Sequence, residues 1–421
     1  MEHSNQSLTF SSLLFATFES SANVIGMVFV GYLGVKSGIF TPTLKKIHAK
    51  LVLNLFFPCL LFSQIGGNID LTTIIQIWPL PVFCVLFAII SGFLGHFSGN
   101  ILSLSQSKKK FIISATIFNN ITAVPVGLIK AFVGTSVMQI FESKYGETAQ
   151  ETASRGITYL LLSTLFVLII RPFWTYFLPE DDEIDASNHS LLPNQNPMTQ
   201  VKPITLFSHL NYTNSTEESP LLLTSKGSSS HSLKILILTN IKHILSIIMS
   251  PPICAGLLAL IIGITPILKS LFFDSKSLLY IYLTANTKLI ATLTVPMTLV
   301  AIGAQAGCVK TLFIKRITFK PVVYIMICRY LIMPIIGIII VLSCKFIAKD
   351  LDWFIIHDPM FIYAAICLSC WPTAIDLFDT QDELLTLTYS SYILLSPVIW
   401  FTLIGLLSII AHITGTFGTA L

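Results

Sequence analysis

Long apolar runs are the feature of this sequence that most limits its possible folds. Stretches of about 20 mostly apolar residues, the length that crosses roughly 30 Å of hydrocarbon, recur along the chain. Charged residues make up 11% of its 421 residues, whereas soluble domains carry about 25%. Because the runs are continuous and not alternating, they favour helices over a β-barrel. The sequence therefore predicts an all-α polytopic membrane protein.

The apolar runs predict ten transmembrane helices in two groups of five. Their expected ranges are 9–35, 46–66, 72–101, 111–134, 156–178, 251–268, 278–307, 320–344, 359–381 and 384–413. A polar segment that opens with "EDDEID" separates the groups and has the composition of a disordered loop. We therefore expect a first membrane repeat at 1–178, a cytosolic disordered loop at 179–233, and a second repeat at 234–421 that begins with an interfacial helix.

Basic residues predict the orientation of these spans. Lys and Arg cluster in the loops after spans one, three and seven, whereas the opposite loops are richer in acids: the basic residues are Lys36, Lys45, Lys46, Lys50, Lys108, Lys109, Lys110, Lys310, Lys315, Arg316 and Lys320. By the positive-inside rule, the basic loops and the central loop are cytosolic. Because five is an odd number, the second group enters from the opposite side, so that a repeat between the groups is inverted.

Prolines at matching places support an inverted repeat. "LVLNLFFPCLLFSQIG" (Leu51–Gly66) aligns with "LIATLTVPMTLVAIGA" (Leu289–Ala304), which places Pro58 opposite Pro296 as a helix-break scaffold. Pro125 of span four likewise corresponds to Pro372 of span nine. A broken backbone is tolerated in a membrane only where it faces protein or a water-filled cavity. Interruptions in both inverted halves therefore predict a substrate site near the bilayer midplane.

Polar residues accompany the prolines of spans four and nine, within "IFNNITAVPVGLI" and "SCWPTAID". The start of a half-helix presents free N–H groups and the positive end of a dipole, which suits a carboxylate. The predicted substrate-binding residues are Asn119, Asn120, Thr122, Pro125, Trp371, Pro372, Thr373 and Asp376. For span four the alternative is an ordinary proline kink, and Asp376 could either couple proton binding or cap the next half-helix.

Charged residues inside spans are candidates for coupling or charge pairing. Glu19 could carry a proton or pair with a cation, and Arg329 is expected to pair with a carboxylate of the protein or the substrate. Lys288 is interpreted as lying near a membrane surface. The sequence lacks P-loop, G-x-S-x-G and H-E-x-x-H motifs and Cys/His metal spacing. We therefore expect no enzyme activity, metal or cofactor.

The motifs of both halves resemble those of the auxin efflux carrier family, and most of all its PIN-like (PILS-type) and fungal members. The stretches concerned are "LVLNLFFPCLLFSQI", "IFNNITAVPVGLI", "MSPPICAGLLALIIGITPIL", "LTVPMTLVAIGAQAG" and "CRYLIMPIIG". The resemblance implies ten helices with helices four and nine broken and crossing, and helices one, two, six and seven as the scaffold of an elevator-like transporter. It also implies that Asn120, with Asn119 as runner-up, holds a substrate carboxylate.

The function that the resemblance implies is alternating-access transport of an auxin-like aromatic carboxylate. The endoplasmic reticulum membrane is the expected location, with the plasma membrane as the alternative. An ion-coupled symporter of another organic acid, or a non-transporting receptor or scaffold, stays open. The expected partners are the anion and the lipid bilayer; a homodimer is left open, and no nucleic acid is expected.

Overall fold

The computed structural model describes residues 9–102, 106–142, 147–176, 249–307, 320–347, 357–371, 373 and 396–414. Within these ranges the regular structure is helical, and one isolated β-bridge is present. The predicted all-α class is thereby confirmed. The central loop, the interfacial helix, Pro372 and Asp376 lie outside the described residues.

The first half of the chain contains nine helices in its described ranges. They are α1 (Phe10–Lys36), α2 (Pro42–Leu51), α3 (Phe57–Asn68), α4 (Leu71–Gln76), α5 (Pro79–Leu102), α6 (Gln106–Ile117), α7 (Ala123–Phe132), α8 (Gln139–Glu142) and α9 (Ala149–Tyr176). A π-helical segment at Val52–Phe56 joins α2 to α3. Pro58 is the second residue of α3, so the proline follows a π segment, and Thr43–Asn68 remains one apolar helix.

The described ranges of the second half contain eight helices. They are α10 (Pro251–Ile264), α11 (Pro266–Phe273), α12 (Ala285–Thr292), α13 (Thr294–Gly307), α14 (Lys320–Ile327), α15 (Met333–Ile347), α16 (Pro359–Cys367) and α17 (Ser396–Thr414). π-helical segments precede α12 at Tyr280–Thr284 and join α14 to α15 at Cys328–Ile332. Pro296 is the third residue of α13, inside the apolar helix Tyr280–Gly307.

Six helices in the described ranges are long and apolar enough to cross a membrane. They are Phe10–Lys36, Thr43–Asn68, Pro79–Ser98, Ala149–Arg171, Tyr280–Gly307 and Lys320–Ile347. A seventh is added if α10 and α11, which meet at an angle of 111°, form one broken span. Membrane-spanning helices are thus supported by length and composition, while the number ten stays a prediction.

The bend between α10 and α11 differs from the single span that the sequence predicts at 251–268. Thr265 has an extended backbone, and Pro266 starts α11 as its first residue. Proline is well suited to that position, because its missing N–H would have no partner in the first turn. The apolar run therefore contains a helix end that hydropathy alone does not reveal.

Close glycine contacts join α1 to α13. A Cβ atom on Gly31 would collide with the Val300 carbonyl, and one on Gly303 would collide with the Val28 carbonyl. Both obstacles are backbone atoms, so the two helices lie at a separation that only glycine permits. This contact ties the first and the second half of the chain into one compact unit.

Candidate functional site

The predicted fourth span is interrupted between α6 and α7. Helix α6 ends at Ile117, and α7 begins at Ala123. Pro125 is buried in the first turn of α7, where a helix has N–H groups without internal partners. The missing N–H of proline therefore costs no helical hydrogen bond there. The break precedes the proline, as expected from the restriction that proline places on the preceding residues.

Asn120 caps the start of α7. The backbone N–H of Ala123 donates to Asn120 Oδ1 at 2.9 Å, which satisfies one of the free donors of the first turn. Because the oxygen is the atom that binds the helix, the Asn120 Nδ2 group is the part of the side chain left to donate. The Thr122 hydroxyl contacts the Thr164 hydroxyl of α9 at 3.1 Å.

Asn119 connects this break to the second half of the chain. Its Nδ2 donates to the Leu368 carbonyl at 2.7 Å, just beyond the end of α16. Its backbone forms an isolated antiparallel bridge with Thr373. Asn119 is buried, with 8% of its surface exposed. The chain segments after α6 and after α16 therefore meet, and an amide side chain satisfies one of the carbonyl groups left at a helix end.

The Ala115 carbonyl in the last turn of α6 is a second meeting point. It accepts from Thr373 Oγ1 at 3.1 Å and from Arg329 Nε and Nη2 at 3.3 and 3.1 Å. Arg329 is 1% exposed, and its cation lies at the negative end of the α6 dipole. We refer to the contacts of Ala115, Asn119, Arg329, Leu368 and Thr373 as the crossing.

A small apolar cavity adjoins the crossing, with a volume of about 50 Å³. Ligand sites are usually about 300 Å³ or larger, so this conformation has no room for an aromatic carboxylate there. Asn119 is the amide in its lining, which otherwise consists of Cys84, Val85, Ala88, Ile117, Phe118, Ile121, Phe166, Val167, Ile170 and Leu368. Trp371, which follows Leu368 by three residues in the sequence, is buried, with 3% of its surface exposed.

The other charged residues of the helices lie at exposed, buried and cleft-lining positions. Glu19 is exposed on α1. Asp358, which the sequence did not single out, is fully buried and forms an ion pair with Arg155 of α9. Lys130 and Lys288 line a second cleft. A lysine inside the apolar run "GLIKAF" was the available signal for Lys130, because charges inside spans are rare.

Comparison with known proteins gives consistent matches over most of the chain. The model of the membrane transport protein family matches residues 16–409. An uncharacterized transporter of Schizosaccharomyces pombe is 24% identical over 87% of each chain, and one of Saccharomyces cerevisiae is 24% identical over 88% of each. Protein PIN-LIKES 6 of Arabidopsis thaliana is 26% identical over 84% of this chain and 82% of its own. The chain therefore belongs to the membrane transport protein family, also known as the auxin efflux carrier family, as its motifs indicated.

Proposed function

We propose that this protein carries a small organic anion, an auxin-like aromatic carboxylate, across a membrane by alternating access. The observation that carries the proposal is the hydrogen bond from Asn119 to the Leu368 carbonyl, which joins the break between α6 and α7 to the end of α16 in the other half of the chain. Helix breaks at corresponding places of two inverted halves mark substrate sites in such transporters, and the predicted break of span nine would supply the second one.

The start of α7 provides the chemistry for a carboxylate. Its N–H groups and its dipole favour negative charge, and the Asn120 Nδ2 group adds a donor at the same place. The apolar cavity beside Asn119 would suit an aromatic ring once the cavity widens. Movement of one group of helices against the other around the crossing would then be part of the transport cycle.

The architecture and location that we propose follow from the family. The ten spans would form two inverted repeats, with spans one, two, six and seven as the scaffold. The endoplasmic reticulum is the proposed membrane, and fluorescence microscopy of the tagged chain against organelle markers tests it. A homodimer remains an open prediction.

Uptake of labelled indole-3-acetate into liposomes that contain the purified protein tests the proposed function. Asn120→Ala would also remove the helix cap, which costs about 1 kcal/mol. Asn120→Asp is sharper, because it keeps the oxygen that accepts from Ala123 N–H and loses the amide donor. We expect this variant to fold and to lose uptake, because its carboxylate repels the anion.

Gln76→Glu is the matched control for that experiment, because it makes the same exchange of an amide for a carboxylate. Gln76 is exposed at the end of α4, outside the candidate membrane spans, and does not line the cavity beside Asn119. Its exchange for Glu should leave uptake near the wild-type rate. Wild-type uptake by Asn120→Asp would remove Asn120 from the site, and no uptake by the wild-type protein would reject this substrate.

A further inference from the structure

A polar cleft lies apart from the crossing, between helices of both halves of the chain. Its cationic lining residues are Lys130 of α7 and Lys288 of α12, and amide and hydroxyl groups come from α3, α9 and α12. The cleft has a volume of about 360 Å³, which falls in the range of about 300–1,000 Å³ that is typical of small-ligand pockets. Unlike the cavity at the crossing, it can hold an aromatic carboxylate in this conformation.

The cleft carries positive charge without a matching acid. Its lining in the described part of the chain includes no Asp or Glu, and neither lysine forms a salt bridge with a described carboxylate. The Lys288 ammonium lies over the rings of Phe273 and Tyr280, at 5.6 and 5.1 Å from their centroids. Charges of one sign that line a cleft focus the electric field inside it and attract ions of the opposite sign.

The aromatic wall that holds Lys288 is itself closely packed. Phe273 stacks on Phe62 with ring centroids 5.7 Å apart. It also lies against Gly66 and Gly67, where a Cβ atom would come within 2.8 and 3.3 Å of its ring. The position of the Lys288 ammonium is therefore set by closely packed aromatic rings.

The Gln64 amide of the cleft is arranged to donate. Asn68 Nδ2 and Ser154 Oγ both donate to Gln64 Oε1, at 3.3 and 3.2 Å. Because these contacts occupy the Gln64 oxygen, its Nε2 group is the part that can donate to a ligand. A donor group beside two cations favours an anion over a cation or a neutral molecule.

We propose that this cleft is an anion-binding vestibule for the carboxylate of a small organic acid. Lys130 lies seven residues beyond Ala123, so the helix that starts at the crossing carries this cation about 10 Å further along its axis. The predicted topology places the cleft on the side of the membrane opposite to the basic loops. Its role as the entry or exit station of the carrier rests on the proposed transport function, whereas anion binding itself does not.

Binding of labelled indole-3-acetate to the full chain in phosphatidylcholine nanodiscs tests the vestibule. Lys130→Gln and Lys288→Gln should each weaken binding about threefold, and the double variant about tenfold. Gln64→Glu keeps the acceptor for Asn68 and Ser154 but replaces the donor with a negative charge, so it should also weaken binding. Indole-3-acetamide, which has the same ring without the charge, should bind to these variants and to the wild type with equal affinity.

Lys36→Gln is the matched control, because the Lys36 ammonium also lies over an aromatic ring, that of Tyr32 at 5.3 Å, outside the cleft. Equal binding by the wild type and the cleft variants, or no binding by the wild type, would overturn the vestibule. Loss of binding when phosphatidylserine is added would assign the cleft to a lipid headgroup. It would then reject the proposal that the ligand is the carboxylate of a small organic acid. Binding that depends on the lysines, without uptake, would reject transport of this anion and keep the vestibule. Uptake and binding that are unchanged in the lysine variants would support transport and reject the vestibule.

Discussion

At the residue scale, the Ala115 carbonyl is the most heavily used acceptor of the crossing. Thr373→Val removes one of its donors and leaves those of Arg329 in place. We expect a loss of about 1 kcal/mol in the free energy of unfolding, the usual value of one buried hydrogen bond. Denaturant unfolding of the purified protein measures it. Thr373→Ser, which keeps the hydroxyl, should remain near the wild type, and equal stability of the Val and Ser variants would contradict the prediction.

Asp70 provides a pH-dependent helix cap outside the membrane spans. The Thr73 N–H and the Thr72 hydroxyl donate to its Oδ1 at 2.7 and 2.8 Å. The hydrogen bonds with Thr73, followed by weaker contributions from Thr72 and Lys269, lower the pKa of Asp70 below its ordinary value. The folded state thus favours the carboxylate, so the cap stabilises α4 above about pH 4 and weakens as the pH falls through the lowered pKa.

Hydrogen exchange at the Thr73 amide measures this cap. Its protection, corrected for the intrinsic exchange rate, should be constant near neutral pH and should fall in acid. Asp70→Ser keeps a capping oxygen that does not titrate, so its protection should not follow pH. The same acid dependence in both proteins would show that another group is responsible.

The sequence could predict some of the residues at the crossing but not their partners. Pro125 marks a helix start because proline restricts the backbone in any context. Leu368 and Ala115 contribute only their carbonyl oxygens, which every residue has, so nothing in the sequence identifies them as acceptors. Their role depends on a contact between segments about 250 residues apart, and no local pattern encodes such a contact.

At the scale of helices, the same limit explains the bend between α10 and α11. Hydropathy records the continuous apolar run at 251–268, whereas the backbone ends one helix at Ile264 and starts another at Pro266. The sequence indicates close helix packing more clearly at "GAQAG" (303–307), because small residues four apart are typical of such packing. Gly303, its first residue, does lie against the backbone of α1.

Gly303→Ala tests how much stability the contact between α1 and α13 provides. The added methyl group meets the Val28 carbonyl, which cannot move away without the helix. We expect a loss of about 1–3 kcal/mol, the usual cost of overpacking. The yield of monodisperse protein and its denaturation midpoint report the change. Gly26→Ala on α1 meets no atom within 4 Å and should be harmless; equal damage in both variants would mean that helix packing is not the cause.

At the scale of the whole molecule, the polar contacts between distant helices of the described ranges fall mainly within two groups. In the proposed scaffold, Thr294 Oγ1 donates to the Phe56 carbonyl, and Lys269 Nζ donates to the Ile69 carbonyl. Among the other spans, Asp358 binds Arg155 and accepts from the Tyr159 hydroxyl, while the crossing joins spans four, eight and nine. Such a division is what two bodies that move past one another require.

The described contacts that pass between the groups include those of Asn68 with Ser154 and Thr158, at 2.9 and 3.3 Å. They lie at the proposed vestibule, and Asn68 itself is exposed, so that its bonds can be exchanged for bonds to water during movement at little cost. The apolar packing of Gly127 on α13 is the other type of contact between the groups. Because Gly127 has no side chain, α7 presents only its backbone to Val295 and Leu299 at this point, which favours movement of the two helices against each other.

Two engineered disulfides can separate movement between the groups from movement within the scaffold. Ile69→Cys with Gly263→Cys lies inside the scaffold, where a Cβ on residue 263 is 3.4 Å from Ile69 Cβ. Gly127→Cys with Val295→Cys links α7 to the scaffold, with a Cβ on residue 127 at 3.3 Å from Val295 Cγ1. The Cβ–Cβ separation at residues 263 and 69 lies close to the lower end of the range of about 3.5–4.5 Å found in disulfides. Because Val295 Cγ1 occupies a position that the sulfur of a cysteine can take, its contact with residue 127 also brings a bridge within reach.

Oxidation should stop anion uptake only in the Gly127→Cys, Val295→Cys protein, because only that bridge holds the two groups together. Reduction should restore uptake, which excludes misfolding as the cause. The four single-cysteine variants, treated with the same oxidant, control for the partly exposed native thiols such as Cys59 and Cys254. If both bridges stopped uptake, the scaffold would itself have to deform. If neither did, α7 would not move against α13, and the transport cycle would have to use a different motion.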